Sequence, residues 1–112
     1  MILERFPLSE FSKGWFVGNF SPTLIKTDGF EVAVKNYQAG EREASHHHKI
    51  ATELTLIVSG RVQMSGEEIG AGEIVRIKPG QSTDFLALDD TTTVVVKVPC
   101  VAGDKYVDEG AQ

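Results

Sequence analysis

The sequence predicts an all-β protein, a sandwich or barrel of short strands, and three observations carry that prediction. The apolar residues of several segments alternate with polar ones at a period of two. Turn signals built from Gly, Pro, Asp and Ser divide the chain into about eight short strand-like runs. No segment shows the spacing of an amphipathic helix.

Residues 1–12 read as an extended N-terminal arm, with Phe6 biased to extended backbone by Pro7. Trp15, Phe16 and Val17 begin a first strand, and Ser21-Pro22 marks a turn. Thr23 to Lys26 reads as a short strand closed by Thr27-Asp28-Gly29, where Asp-Gly suits positive φ. Phe30 to Tyr37 alternates, with Phe30, Val32, Ala33 and Val34 giving an apolar face opposed by Glu31 and Lys35. Residues 39–45 form a polar approach.

Thr52 to Val58 is the plainest strand. Leu54, Leu56 and Val58 share one face, and Glu53, Thr55 and Ile57 share the other. Arg61 to Met64 pairs back after Ser59-Gly60, and Ser65-Gly66 makes a tight turn. Glu73 to Lys78 follows the break at Gly70 and Gly72, and Pro79-Gly80 turns the chain again. Asp84 to Leu88 is short. Thr91 to Val98 is dense in β-branched residues, which suit a pleated, half-buried surface. Residues 103–112 are polar and read as a flexible tail.

With 112 residues, the chain is expected to be a single domain, able to bury a core without staples. Its formal charge of −5 gives no support to nucleic-acid or anionic-membrane binding. No apolar run approaches a membrane span, and the start of the chain does not read as a signal peptide, so a cytoplasmic protein is expected. Cys100 is the one cysteine, which excludes an internal disulfide, and it reads as a small apolar residue ending a buried strand.

All three histidines, His46, His47 and His48, fall between Gly40 and Gly60. On extended backbone, His46 and His48 share a face at roughly 6.6 Å along the strand, and His47 points away. Imidazoles at that spacing can reach one metal ion, and Glu53 can complete a set of two histidines and one carboxylate. Such a set with open positions suits Fe, Mn, Ni, Zn, Co or Cu, and the order of ligands picks none of them.

The spacing here is glycine, five residues, His-x-His, four residues, glutamate, six residues, glycine, filled by Gly40, His46, His48, Glu53 and Gly60. It resembles the first motif of the cupin superfamily. The run from Gly72 to Gly80 resembles the first half of the second motif, and the likeness covers roughly residues 30–98. The resemblance implies a small cupin-type β-barrel, a jelly-roll-like double-stranded β-helix, with a divalent metal in its mouth. It also implies a small-molecule ligand or substrate.

The chain departs from the family pattern in both the second motif and the segment between the motifs. Thr83 occupies the place where the second motif usually has a histidine, and Lys78 stands where a proline is usual. The segment from Arg61 to Ala71 is also short for the family. Two readings stay open: a three-ligand metal site with open positions, or a barrel that binds a small molecule with weak metal or none. Dioxygenase, isomerase and decarboxylase chemistries all occur on this fold, so it selects no reaction and leaves open whether the chain is an enzyme.

Gln63 and Arg61, on a strand that could line the barrel, are candidates for substrate contact, as are Thr83 and Phe85. Trp15 and Phe85 are expected mainly as core aromatics. Glu41, Glu43 and Arg42 are expected on the solvated surface. If Glu53, Thr55 and Ile57 face the interior, three aliphatic side chains face outward and need covering, which points to a homodimer.

Overall fold

A computed structural model describes residues 2–110. Ten strands follow one another along the chain: β1 (Trp15–Val17), β2 (Glu31–Tyr37), β3 (Arg42–His47), β4 (Thr52–Ser59), β5 (Arg61–Met64), β6 (Glu67–Gly70), β7 (Ile74–Ile77), β8 (Thr83–Ala87), β9 (Thr91–Val98) and β10 (Tyr106–Val107). They form two five-stranded antiparallel sheets, ordered β1-β2-β9-β4-β7 and β10-β3-β8-β5-β6. From β2 onward the chain changes sheet at every connection except the β5–β6 hairpin. That wiring is a jelly roll, as the resemblance implied.

The β-branched strand β9 lies in the middle of its sheet, paired with β2 along one side and β4 along the other. Strand β4 alternates as expected. Thr55 and Ile57 are buried and Glu53 is turned inward with them, whereas Leu54 and Val58 are exposed. Ile57, Val62, Met64, Ile77, Phe85 and Ala87 form a buried apolar cluster between the sheets. It closes one end of the barrel and leaves the other to polar side chains.

Gly60 makes the turn between β4 and β5 with a φ of 90°, and a Cβ there would lie 2.4 Å from the carbonyl oxygen of Asp90. Only glycine suits both the conformation and the space. Two short 3₁₀ turns, Leu8–Glu10 and Ser12–Gly14, interrupt the N-terminal arm, whose residue 1 lies outside the described residues.

The structure departs from the sequence expectations at five places. Residues 42–45 belong to β3, because pairing with β8 overrides their polar composition. Thr23 to Lys26 is not a strand; isolated bonds from Leu24 to Phe16 and from Gly18 to Ile25 hold it against β1. The hairpin after Gly66 adds β6. The tail is not free through residue 110: Tyr106 and Val107 pair with His47 and His46, and Asp104 is buried. Residues 111–112 lie outside the described residues.

The fifth departure bears most on function. In β2 it is Glu31, Ala33, Lys35 and Tyr37 that share the inward face, and the valines lie on the other. Among the described residues, no helix is long and apolar enough to cross a membrane.

Candidate metal and ligand site

The open end of the barrel gathers the residues that carry chemistry. In β3, Glu43 pairs with Phe85 and His46 with Thr83, so three residue steps on β3 oppose two on β8. This bulge supplies the extra residue that puts Glu43 and His46 on the same inner face. Both line a cavity of about 240 Å³ together with Glu53, Thr55, Thr83 and Phe85.

His47 faces out, as expected. Its Nδ1 lies 2.8 Å from Asp108 and its ring stacks on Tyr106. His48 follows the end of β3 and is 4% exposed. The rings of His46 and His48 are 5.6 Å apart and nearly perpendicular.

Each of these two histidines has one nitrogen fixed. His46 Nδ1 donates to the carbonyl oxygen of Ala44 at 2.8 Å, and His48 Nδ1 donates to that of Asp104 at 2.5 Å. A carbonyl can only accept, so the proton of each neutral ring sits on Nδ1 and the lone pair on Nε2. His48 Nε2 is buried without a hydrogen-bond partner and lies 3.4 Å from Glu53 Oε1. Two acceptors facing each other in a buried place call for a cation, either a proton on Nε2 or a metal ion.

Glu53 is held as a carboxylate. Burial pushes its pKa up, but the neighbouring His48, the hydrogen bond from Thr55 and the charge of Lys97 outweigh burial and bring it below the ordinary value. Its Oε2 accepts from Thr55 Oγ1 at 2.9 Å. Asp104 supports the site from the C-terminal segment. Its carboxylate accepts from the backbone N–H groups of Lys49, Ile50 and Ala51, closing the turn that follows His48.

As the side chains stand, no three His, Cys, Asp or Glu among the described residues are grouped closely enough to hold a metal ion. His48 and Glu53 meet, and His46 shares the cavity wall with Glu53 without closing the set. The unpartnered Nε2 and the ionised carboxylate are donors that fit a divalent cation. The third donor is present but not gathered.

Thr83 is buried on the cavity wall and opposite His46 in register. Its hydroxyl is engaged with Ser65 and the Asp84 carbonyl. Phe85 is a core residue and a cavity wall at once, with its ring 4.5 Å from that of Tyr37. Arg61 and Gln63 correct the expectation that they line the barrel. On β5 it is Val62 and Met64 that point inward, and Arg61 is exposed, bound to Asp89 and Glu68.

Several cavity residues escaped the sequence reading. Glu43, expected on the surface, lines the cavity, as do Lys35, Tyr37, Thr93 and Lys97. Lys97 carried a faint signal as a lone charge inside a run of β-branched residues. Its Nζ lies 3.7 Å from Glu31 and 5.0 Å from the centre of the Trp15 ring. Trp15, Lys97 and Lys105 also line a second cavity of about 380 Å³, and His48 lies on the wall of that one.

No protein-family model and no curated protein matches the chain. Solved structures do match. An uncharacterised conserved protein with a double-stranded β-helix domain from Klebsiella pneumoniae superposes with a TM-score of 0.71 at 22% identity, over 94% of this chain and 91% of that one. The DMSP lyase DddQ of Ruegeria pomeroyi gives 0.70 at 19% identity, over 86% of this chain and 51% of the lyase. Oxalate decarboxylase of Bacillus subtilis gives 0.64 at 14% identity, over 72% of this chain and 24% of the decarboxylase. At these identities the likeness is one of fold.

Proposed function

Taking the cupin-type double-stranded β-helix fold as premise, we propose that this protein binds a divalent metal and a small anionic ligand in the open end of its barrel. The single observation that carries the metal reading is His48 Nε2, which is buried, unpartnered and 3.4 Å from the Glu53 carboxylate. His48 and Glu53 would hold the ion, with His46 as third donor. A divalent ion bound there would supply Lewis-acid polarisation or redox chemistry toward a ligand oxygen. The protein's own part is to fix both imidazoles through Nδ1, keep Glu53 ionised and present a cavity walled by Tyr37 and Phe85.

The test is elemental analysis of protein purified without added metal, with calorimetric titration of Mn and Zn. Near-stoichiometric binding that His46→Ala and Glu53→Gln each weaken by at least about tenfold supports the site. Sub-stoichiometric binding indifferent to both substitutions overturns it.

A second reading has its own support. Three donors are not gathered, and Thr83 stands where a fourth ligand would be expected. On this reading the barrel is a binding module in which His48 carries a proton toward Glu53. Ligand-induced thermal stabilisation that a chelator leaves unchanged would favour it over the metal site.

The outer face of the first sheet supports a homodimer. Leu54, Val58, Ile74 and Val98 are exposed there, and Leu56, Val94 and Val96 lie among them only half-buried. A continuous aliphatic face on adjacent strands is best covered by the same face of a second copy.

A further inference from the structure

The inward face of β2 carries a cation that the site described above does not use. Lys35 is half-buried on the cavity wall, and no carboxylate among the described residues lies within ion-pair distance of its ammonium. Its near contact is the face of Trp15, whose ring centre is 5.2 Å from Nζ. Lys13, Lys97 and Lys105 line the cavity too, and Lys97, on the neighbouring strand β9, differs from Lys35 because Glu31 lies 3.7 Å from it. Burial pulls the Lys35 pKa below its ordinary value, and the charge of Glu43 only partly opposes this.

A second observation lies directly across the strand pair. Lys35 is the register partner of Thr93 on β9. Thr93 is 1% exposed, lines the same cavity, and its Oγ1 has no hydrogen-bond partner. A buried hydroxyl left unbonded is costly, and so is an ammonium drawn out of water without a counter-ion. Two such groups side by side on one wall make a donor pair lacking its acceptor.

The geometry points to a carboxylate-binding site formed by Lys35 and Thr93, occupied by a small monocarboxylate whose apolar body lies against Trp15, Tyr37 and Phe85. One ammonium beside one orphaned hydroxyl matches the two oxygens of a single carboxylate. A doubly charged phosphate would also face Glu43 and Glu53 in the same cavity. A volume of about 240 Å³ is below that of drug-sized pockets and restricts the ligand to a small acid. The assignment rests on the proposed reading of the barrel as a small-molecule site, and it requires no metal.

Trp15 is the one tryptophan of the chain, so its emission reports on this wall directly. The experiment titrates the intact protein with benzoate and with benzamide, which has nearly the same shape and no charge. Benzoate gives a saturable change in emission and benzamide gives a much weaker one. Lys35→Gln weakens benzoate binding by about tenfold or more, the loss of a charge-assisted hydrogen bond, and Lys35→Arg restores most of it. Thr93→Val weakens it less and raises the melting temperature of the ligand-free protein, because the orphaned hydroxyl is gone.

Equal response to benzamide, benzoate binding unchanged in Lys35→Gln, or no saturable response at millimolar benzoate each overturns the assignment. Calorimetry with Mn separates it from the metal reading. Metal bound normally by Lys35→Gln while benzoate is lost places the carboxylate at Lys35. Benzoate bound by a protein that takes up no metal retires the metal alone.

Discussion

Nδ1 of His48 donates to the main-chain carbonyl oxygen of Asp104 at 2.5 Å, fifty-six residues further along the chain. The side chain of the same aspartate accepts from the backbone of Lys49, Ile50 and Ala51. One residue of the C-terminal segment thus orients the imidazole and closes the turn behind it.

Asp104→Ala should therefore act on stability and on the site together. Three backbone donors lose a charged acceptor, which costs about 2 kcal/mol or more. With the carbonyl of residue 104 no longer held, His48 loses its fixed orientation, and metal affinity falls by about tenfold. Denaturant melts measure the first effect and calorimetry with Mn the second. Asp104→Asn, which keeps one acceptor oxygen, should fall between the two proteins in both measurements.

Asp108 gives the acid end of the stability profile. Hydrogen bonds from Ser45, His47 and Ser82 hold its carboxyl at about 2. A folded-state pKa below the unfolded value of about 4 stabilises the protein above that value, and the contribution disappears as pH falls through about 2. Asp104 and Glu53, both lowered, act in the same direction. Thermal melts of the wild type and Asp108→Asn should differ at neutral pH and converge as pH falls from about 4 to about 2.

Gly60→Ala tests the turn that joins the two sheets at β4 and β5. The backbone there has a φ of 90°, and the new methyl would meet the Asp90 carbonyl oxygen at 2.4 Å. Strain and overlap together should cost about 2 kcal/mol or more, read from the midpoint of urea unfolding. Gly40→Ala is the control: φ is 93°, but nothing lies within 4 Å of the added methyl, so only the conformational cost remains.

Ile74→Glu tests the outer aliphatic face. Ile74 is 64% exposed, so the substitution should change the stability of a single copy by no more than about 0.5 kcal/mol. In the proposed homodimer it would bury an unpaired carboxylate and should shift sedimentation from dimer to monomer. A wild-type protein that sediments as a monomer at micromolar concentration overturns the homodimer.

The sequence by itself determined an all-β sandwich or barrel, because period-two alternation and Gly, Pro, Asp and Ser turns are local properties of backbone and side chain, and the jelly roll was what the resemblance of its motifs implied. It also determined that Glu53, Thr55 and Ile57 share one face of their strand, and that His46 and His47 point in opposite directions. A strand's alternation dictates such pairs once the strand is recognised. Only the tertiary structure decided which face of β2 turns inward. Alternation gives two faces but not their sense, and the charged face with Lys35 lines a cavity instead of meeting solvent. The same limit misplaced Arg61 and Gln63. The bulge that brings Glu43 beside His46, and the return of Asp104 to His48, depend on pairing between residues far apart in the chain. No window of neighbouring residues records such pairing, and the orphaned atoms at His48 and Thr93 become visible only after the strands are brought together.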